Sequence, residues 1–583
     1  MNSRIPLLNF RVSRSGWFAG KIAPAAIGLI FIAASIAATP VPVLAQASNP
    51  VCPSETVFFD PGMGQDIAVP EGYKVEVFAK GLNFPTDVAF QGDRDHFKVI
   101  VLESGTGLPS RCNDATKVPG IGQFDAANPF TPDILIFDRN GHKIAGPLGK
   151  PTAMGGGFQP DGPAIGLAFE FPGGHGRLFA TDSNQGVRGA PGTGNNTSRI
   201  VTVDLRSGMV MPFIAGLPTG DHPTEEIQVK GNFIYWSQGS ATNAGVTGHD
   251  NGAGGNQHDI ACQDITLSNN VFDSGDGHMT SGYSNHGTQR PGAMVPAFES
   301  ATKPGMCTGA ILRARIDVSN PANTVQPVSW GYRNPFGLRF SPKDHPLEGK
   351  LFVSENGEDE RGARPTNNAP DRLQVAQMNP DGSPDYHGWP DRFGFLDSTQ
   401  AIFNPLGGPG DDLQPASKVL AEDVPVRHVL AFPPQAPVAP VGLEPTDVAV
   451  VGLDFAPRRF TGGVVHRGAA LIAREGDLGF SPANGTPIEG HDIQLANFKR
   501  KAFVHQLHGI NRPVAVRFGP DGALYLVDFG AVRDFGQSEP DSRFADPADA
   551  PLVQIPGTGV IWKITRTGPM DREDDDHNGP RDK

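Results

Sequence analysis

The chain has 583 residues, 73 of them Gly and 55 Pro, with 19% charged residues and a formal net charge of −14. Gly and Pro at this level punctuate many short strands rather than long helices, and 38% hydrophobic residues supply a core and argue against global disorder. The acidic balance argues against nucleic acid or anionic lipid as partner.

The N-terminus reads as an export signal. Arg4, Arg11, Arg14 and Lys21 form a basic segment without acidic residues, an apolar run follows from Ala23 to Ala38, and Ala45-Gln46-Ala47 offers a small-residue cleavage pattern. A single membrane anchor is the alternative, but the run is short for a span of about 20 residues. Cleavage after 47 removes four positive charges and moves the formal net charge from −14 to −18. The expectation is a periplasmic or secreted protein with no stable membrane span after cleavage. Cys52, Cys112, Cys262 and Cys307 lie in no CxxC or CxxCH pattern, against zinc or covalent haem. In an exported chain they suggest two disulfides. Proximity favours Cys52–Cys112 and Cys262–Cys307 among the three connectivities four cysteines allow.

Six apolar stretches then recur along the chain: 97–101, 176–180, 232–236, 350–354, 470–474 and 523–527. A second class, partly alternating and often ending in an Asp or Asn turn, appears at 134–138, 200–204, 311–317, 373–378 and 560–564. A repeated strand unit is how a chain encodes a β-propeller. The fold expected is all-β, a six-bladed β-propeller over 48–566 with long loop insertions; seven blades or a split sandwich are the alternatives. Residues 240–304, rich in Gly, Asn, Ser and His, form the largest insertion, and long loops of this kind are functional or disordered. A Pro-rich excursion spans 403–440, and residues 567–583 read as an acidic disordered tail.

Three strings carry chemistry. In Gly331-Tyr332-Arg333-Asn334-Pro335-Phe336-Gly337-Leu338, Pro335 and Gly337 suggest a tight turn at a strand entrance. Arg333 there would offer a donor for a carboxylate or oxyanion, or it is a surface Arg pinned to an Asp. Glu355-Asn356-Gly357-Glu358-Asp359-Glu360, with Asp371 and then Gly388-Trp389-Pro390 further on, gathers the oxygens a hard cation needs, or is a solvated acidic loop. Asp221-His222 precedes a strand; His222 there is a general base or an ordinary histidine.

At these strings, and at Pro70-Glu71-Gly72-Tyr73, Leu82–Thr86 and Arg512–Gly522, the chain resembles the glucose/sorbosone dehydrogenase family over roughly 69–567. These are six-bladed quinoprotein sugar dehydrogenases that use pyrroloquinoline quinone (PQQ) and calcium. The resemblance implies His222 as the base and Arg333 as the cation beside the quinone. It implies Asp221, Asn334, Arg512, Arg474 and either Gln159 or Asp161 along the cofactor, and Gly357, Glu358 and Asp371 at the calcium. It also implies a sugar substrate and an external electron acceptor, a cytochrome or a quinone. The chain departs from the family at Val514, where a second Arg is expected, and at Glu475, where a Lys is expected. Two other readings stand beside it: a non-catalytic propeller that binds carbohydrate or protein, and a calcium-dependent lactonase-like hydrolase.

Overall fold

The computed structural model describes residues 61–568 and two short strands ahead of them (46–48 and 56–58). It does not describe 63, 65–66, 106–130, 151–155, 160–161, 185–195, 249–256, 275–276, 344, 360–361, 367, 398–401, 404–423, 447, 477–489, 498–501, 508–511, 531, 534–552 and 555–556. The expected signal segment up to 45, Cys52, Cys112, Asp161 and the tail from 569 lie outside the described residues. No described helix is long and apolar enough to cross a membrane.

Six sheets form a ring, a six-bladed β-propeller; all are antiparallel apart from a short parallel fifth strand, Asp385–Tyr386, at the edge of blade 3. Each blade starts at the channel with an inner strand: Pro85–Gly92, Leu167–Phe171, Thr224–Lys230, Asn334–Phe340, Val450–Phe455 and Pro513–Phe518 in blades 1 to 6. The six repeated apolar stretches are the second strands, one per blade: Phe97–Glu103, His175–Asp182, Phe233–Gln238, Leu351–Asn356, Ala470–Arg474 and Leu524–Asp528. In blades 1, 4, 5 and 6 these strands are buried on nearly every residue, which is why they read as apolar runs; in blade 2 the first residues are exposed, and in blade 3 Phe233 and Tyr235 are half-buried. The outer strand of blade 6 is Tyr73–Leu82 from the other end of the chain, paired with Gly559–Arg566. This pairing closes the ring and leaves no open sheet edge between the first and last blades.

Three features differ from the sequence reading. The inner strand of blade 4 begins at Asn334, so Pro335 and Gly337 lie within it rather than in a preceding turn. The ladder shifts register between Asn334 and Gly337, accommodating a Pro that cannot donate. A Cβ on Gly337 would stand 2.2 Å from the Val451 carbonyl oxygen of blade 5, so glycine is required there by close approach. Blade 5 also has a third strand, Asp492–Asn497, that the repeat pattern does not show. Finally, the described residues of the insertion, between the second and third strands of blade 3, are packed rather than disordered. It carries two small ladders, the Cys262–Cys307 disulfide and buried Ile260, Ile265 and Tyr283. Arg364 straps it to the blade 4 excursion, donating to the carbonyls of Ala244, Pro390 and Arg427 and to Asp391.

The channel is filled by charge. Arg517 of blade 6 reaches Asp87 of blade 1 at 2.8 Å and Glu226 of blade 3 at 2.6 Å. Asp87 also accepts from the Leu167 N–H of blade 2 at 2.9 Å. Inner strands from four blades thereby share one buried ionic network, in which removal of any single partner leaves an uncompensated charge.

Candidate functional site

All inner strands start at one face, and the residues at or just before those starts gather there. The face carries His222, Arg333, Asn334 and Arg512 at the entrances of blades 3, 4 and 6. The ends of the second strands return to the same face and bring Glu355 and Arg474.

Blades 3 and 4 form the most tightly organised part. The His222 N–H donates to the Ser240 carbonyl at 3.0 Å, and the Ser240 N–H donates to the Arg333 carbonyl at 2.8 Å. His222 Nδ1 lies 3.2 Å from Ser240 Oγ, and Nε2 lies 3.6 Å from Asp221 Oδ2. A Cβ on Gly239 would meet the His222 Cβ at 2.2 Å, so only glycine lets the two segments lie this close. Arg333 is buried. Its N–H donates to Glu355 Oε1 at 2.9 Å, Nε donates to Asn243 Oδ1 at 2.9 Å, and Nη2 pairs with Asp359. Asn243 also accepts from the Asp359 N–H at 3.0 Å, tying the insertion to the acidic string. The Asn334 carboxamide lies between Asn356 and Glu225; turned with its nitrogen toward Glu225, it reaches that carboxyl at 2.7 and 2.8 Å. Burial, with Glu226 alongside, pushes the Glu225 carboxyl well above the usual range, and Arg333 opposes the shift.

Of the acidic string, Glu355 and Glu358 are interior, while Asp359 is partly exposed. Glu355, Glu358 and Asp371 are buried around Arg372, with Glu358 Oε2 at 3.0 Å and Glu355 Oε2 at 3.4 Å from it. Asp371 accepts the N–H groups of Gly357 at 2.6 Å and Val450 at 2.9 Å. Desolvation raises Asp371 to about 6 and Glu358 to about 7, Arg372 opposing in both cases. Glu358 Oε1 has no hydrogen-bond partner, an orphaned buried oxygen of the kind a cation satisfies. Among the described residues no three His, Cys, Asp or Glu side chains converge as a ready metal-ligand set. A calcium here would therefore depend on main-chain oxygens beside Glu358.

The other residues implied for the cofactor are engaged with the protein. Arg474 forks onto Asp492 with two 2.7 Å bonds and donates to Glu444 at 3.2 Å. Arg512 is buried, its Nη1 donating to the Gly476 carbonyl at 2.8 Å. Burial raises the neighbouring Glu475 carboxyl, with Arg512 and His491 opposing. Gln159 is braced in blade 2, its side-chain amide on the carbonyls of Asp182 and Thr197. For PQQ, a tricarboxylate, both arginines already carry a carboxylate partner: Arg333 beside His222 pairs with the partly exposed Asp359, and Arg474 with the buried Asp492 and Glu444.

Sequence reasoning missed Ser240, Asn243 and Glu225. The first two lie in a Gly- and Ser-rich stretch without periodicity, and Glu225 reads as one polar position in a strand. Asp359 and Glu355 were visible in the acidic string, but their pairing with Arg333 was not.

No protein-family model matches the chain, and no curated protein matches its sequence. Among solved structures it is similar to a Trichoderma reesei carbohydrate-active enzyme of family AA12, at 14% identity, 86% of this chain, 97% of that one and a TM-score of 0.47. It is also similar to a Thermus thermophilus protein designated an oxidoreductase (glucose dehydrogenase), at 16% identity, 85% and 100% coverage and a TM-score of 0.39. A further glucose dehydrogenase aligns at 12% identity over 84% of this chain and 98% of its own, with a TM-score of 0.39. All three scores fall below 0.5, so the chemistry of the site rests on this chain's own residues.

Proposed function

We propose that the chain is an oxidoreductase of the quinoprotein type that oxidises a CH–OH carbon of an aldose or sorbosone-like hydroxy-aldehyde. The carrying observation is the coupling of a histidine to a buried arginine at adjacent blade entrances, with Ser240 bonded to both. His222 accepts the hydroxyl proton as general base, which is worth about 10²–10⁴-fold in rate at a well-placed imidazole. Arg333, its geometry set by Asn243 and Asp359, supplies a fixed cation where negative charge develops. PQQ, when bound, supplies the two-electron acceptor for the hydride. Arg333, Asn334 and Arg512 would hold it, and calcium would sit at Gly357 and Glu358. The acidic string, with its excess of buried carboxyls over Arg372, favours a divalent cation there. A periplasmic or secreted location and an external cytochrome or quinone acceptor complete the proposal.

The test is dye reduction by the purified mature chain across a panel of aldoses, with PQQ and calcium added together and singly, alongside PQQ binding by calorimetry. Turnover that needs both additives and is lost in His222→Ala supports the reading. No PQQ binding and no turnover would overturn it. The engaged state of Arg474 would then favour the propeller that binds carbohydrate without catalysis.

A further inference from the structure

We propose that Ser240 is the positioning residue that fixes the tautomer of His222, placing the ring proton on Nδ1 and the lone pair on Nε2. The inference rests on His222 being the base. The Ser240 side chain is fully buried, and its Oγ–H donates to the Thr242 carbonyl at 2.6 Å. A hydroxyl has one hydrogen to give. With that hydrogen committed at 2.6 Å, the oxygen meets His222 Nδ1, at 3.2 Å, as an acceptor only. Nδ1 must therefore carry a hydrogen, and a neutral imidazole has no second one for Nε2.

The device is rigid because its supports are buried and satisfied. Asp259 accepts from the Ala241 N–H at 2.7 Å, Thr242 Oγ1 at 2.5 Å and Thr308 Oγ1 at 2.9 Å. This carboxylate sets the conformation of the turn that presents the Thr242 carbonyl to Ser240. The Ala241 carbonyl accepts from Gln257 at 2.8 Å, and the Ser240 N–H is held by the Arg333 carbonyl. Gly239 lies against the His222 Cβ and restricts movement of the ring's stem. Asp221, 3.6 Å from Nε2 and beyond hydrogen-bond length, stabilises through space the imidazolium that forms once Nε2 takes a proton. The partner that orients the ring is thus an uncharged hydroxyl on one nitrogen, while the compensating charge faces the other.

The experiment is a long-range ¹H–¹⁵N correlation on the full chain labelled with ¹⁵N-histidine, recorded without cofactor above the pKa of the ring. The His222 signal is assigned by its disappearance in His222→Gln. The expected result is a protonated Nδ1 and an unprotonated Nε2 in the native chain. Ser240→Ala should move the equilibrium toward the Nε2–H form usual for isolated imidazole, and Ser240→Thr, which retains the hydroxyl, should not. A native chain with its proton on Nε2, or a Ser240→Ala tautomer identical to the native one, would overturn the inference. If Ser240→Ala does not fold, the native spectrum alone decides. Where turnover is measurable, Ser240→Ala should lower kcat about 10–100-fold with a smaller change in KM. The tautomer is read without substrate or PQQ, so a chain that shows the expected tautomer but no turnover fails as a dehydrogenase and not in this inference.

Discussion

Blades 1 and 5 carry different charges at one position that the fold repeats. Where the second strand ends and the third begins, two residues face each other across the ladder. In blade 5 they are Arg474 and Asp492, in blade 2 Asp182 and Arg199, and in blade 4 Glu355 and Arg372. Each of these pairs opposite charges. In blade 1 the same position holds two carboxyls, Glu103 and Asp133. Burial, with Asp133 close by, pushes Glu103 well above the usual carboxyl range, and Lys150 reaches Asp133 at 3.5 Å. In these four blades the position holds a buried polar pair, and the residues placed there decide whether it is an ion pair or two carboxyls, whereas blades 3 and 6 set Gln238 opposite Ala310 and Asp528 opposite Val560. It follows that an arginine on the functional face is not evidence for an anion ligand, because the blade itself uses arginine.

Arg474→Ala should separate strut from anchor most sharply. It leaves Asp492 and Glu444 buried without their cation, and a loss of about 3–5 kcal/mol in the unfolding free energy of the cofactor-free chain is expected. Denaturant titration reads it, and an unchanged midpoint would return Arg474 to the role of a ligand contact. The next effect is on pH. Asp182, Asp259 and Asp371 are raised to about 6 and Glu358 to about 7, burial being the main cause in each. A carboxyl whose folded pKa exceeds its unfolded value of about 4 binds protons more tightly in the native state. Its contribution is fully present below the unfolded value and is lost as pH rises through the folded one. The Tm should therefore fall from pH 5 to pH 8, and a Tm that rises over this range would contradict the assignment. The smallest change expected is a gain. Glu103→Gln replaces a carboxyl that has to take up a proton on folding with a neutral amide and should stabilise the chain by about 1–2 kcal/mol at pH 8, the gain fading toward pH 4. A loss at pH 8 would mean that the bond from the Asn83 N–H to Glu103, 2.6 Å long, outweighs the cost of burying the carboxyl.

The blade count was legible because each second strand carries a buried apolar segment that recurs once per blade. The inner strands were not legible. They mix channel-facing charges such as Asp87, Glu226 and Arg517 with apolar residues, and one begins Asn334-Pro335, which locally signals a turn. The Cys262–Cys307 bridge was legible from proximity, whereas the packing of the insertion it closes was not. His222, Arg333 and Asn334 could be named from their strings, because those residue types before a strand carry recognisable chemistry. Their partners could not: Ser240 meets His222 from 18 residues away, and Asn243 meets Arg333 from 90.

By itself the sequence determined the repeat, the closed all-β ring and the side chains available to one face, since these follow from local periodicity and composition. Only the tertiary structure decided which arginines are already paired with carboxylates, which carboxyls are raised by burial and which groups meet the ring of His222. Those properties depend on burial and on partners from other blades, which local sequence does not encode.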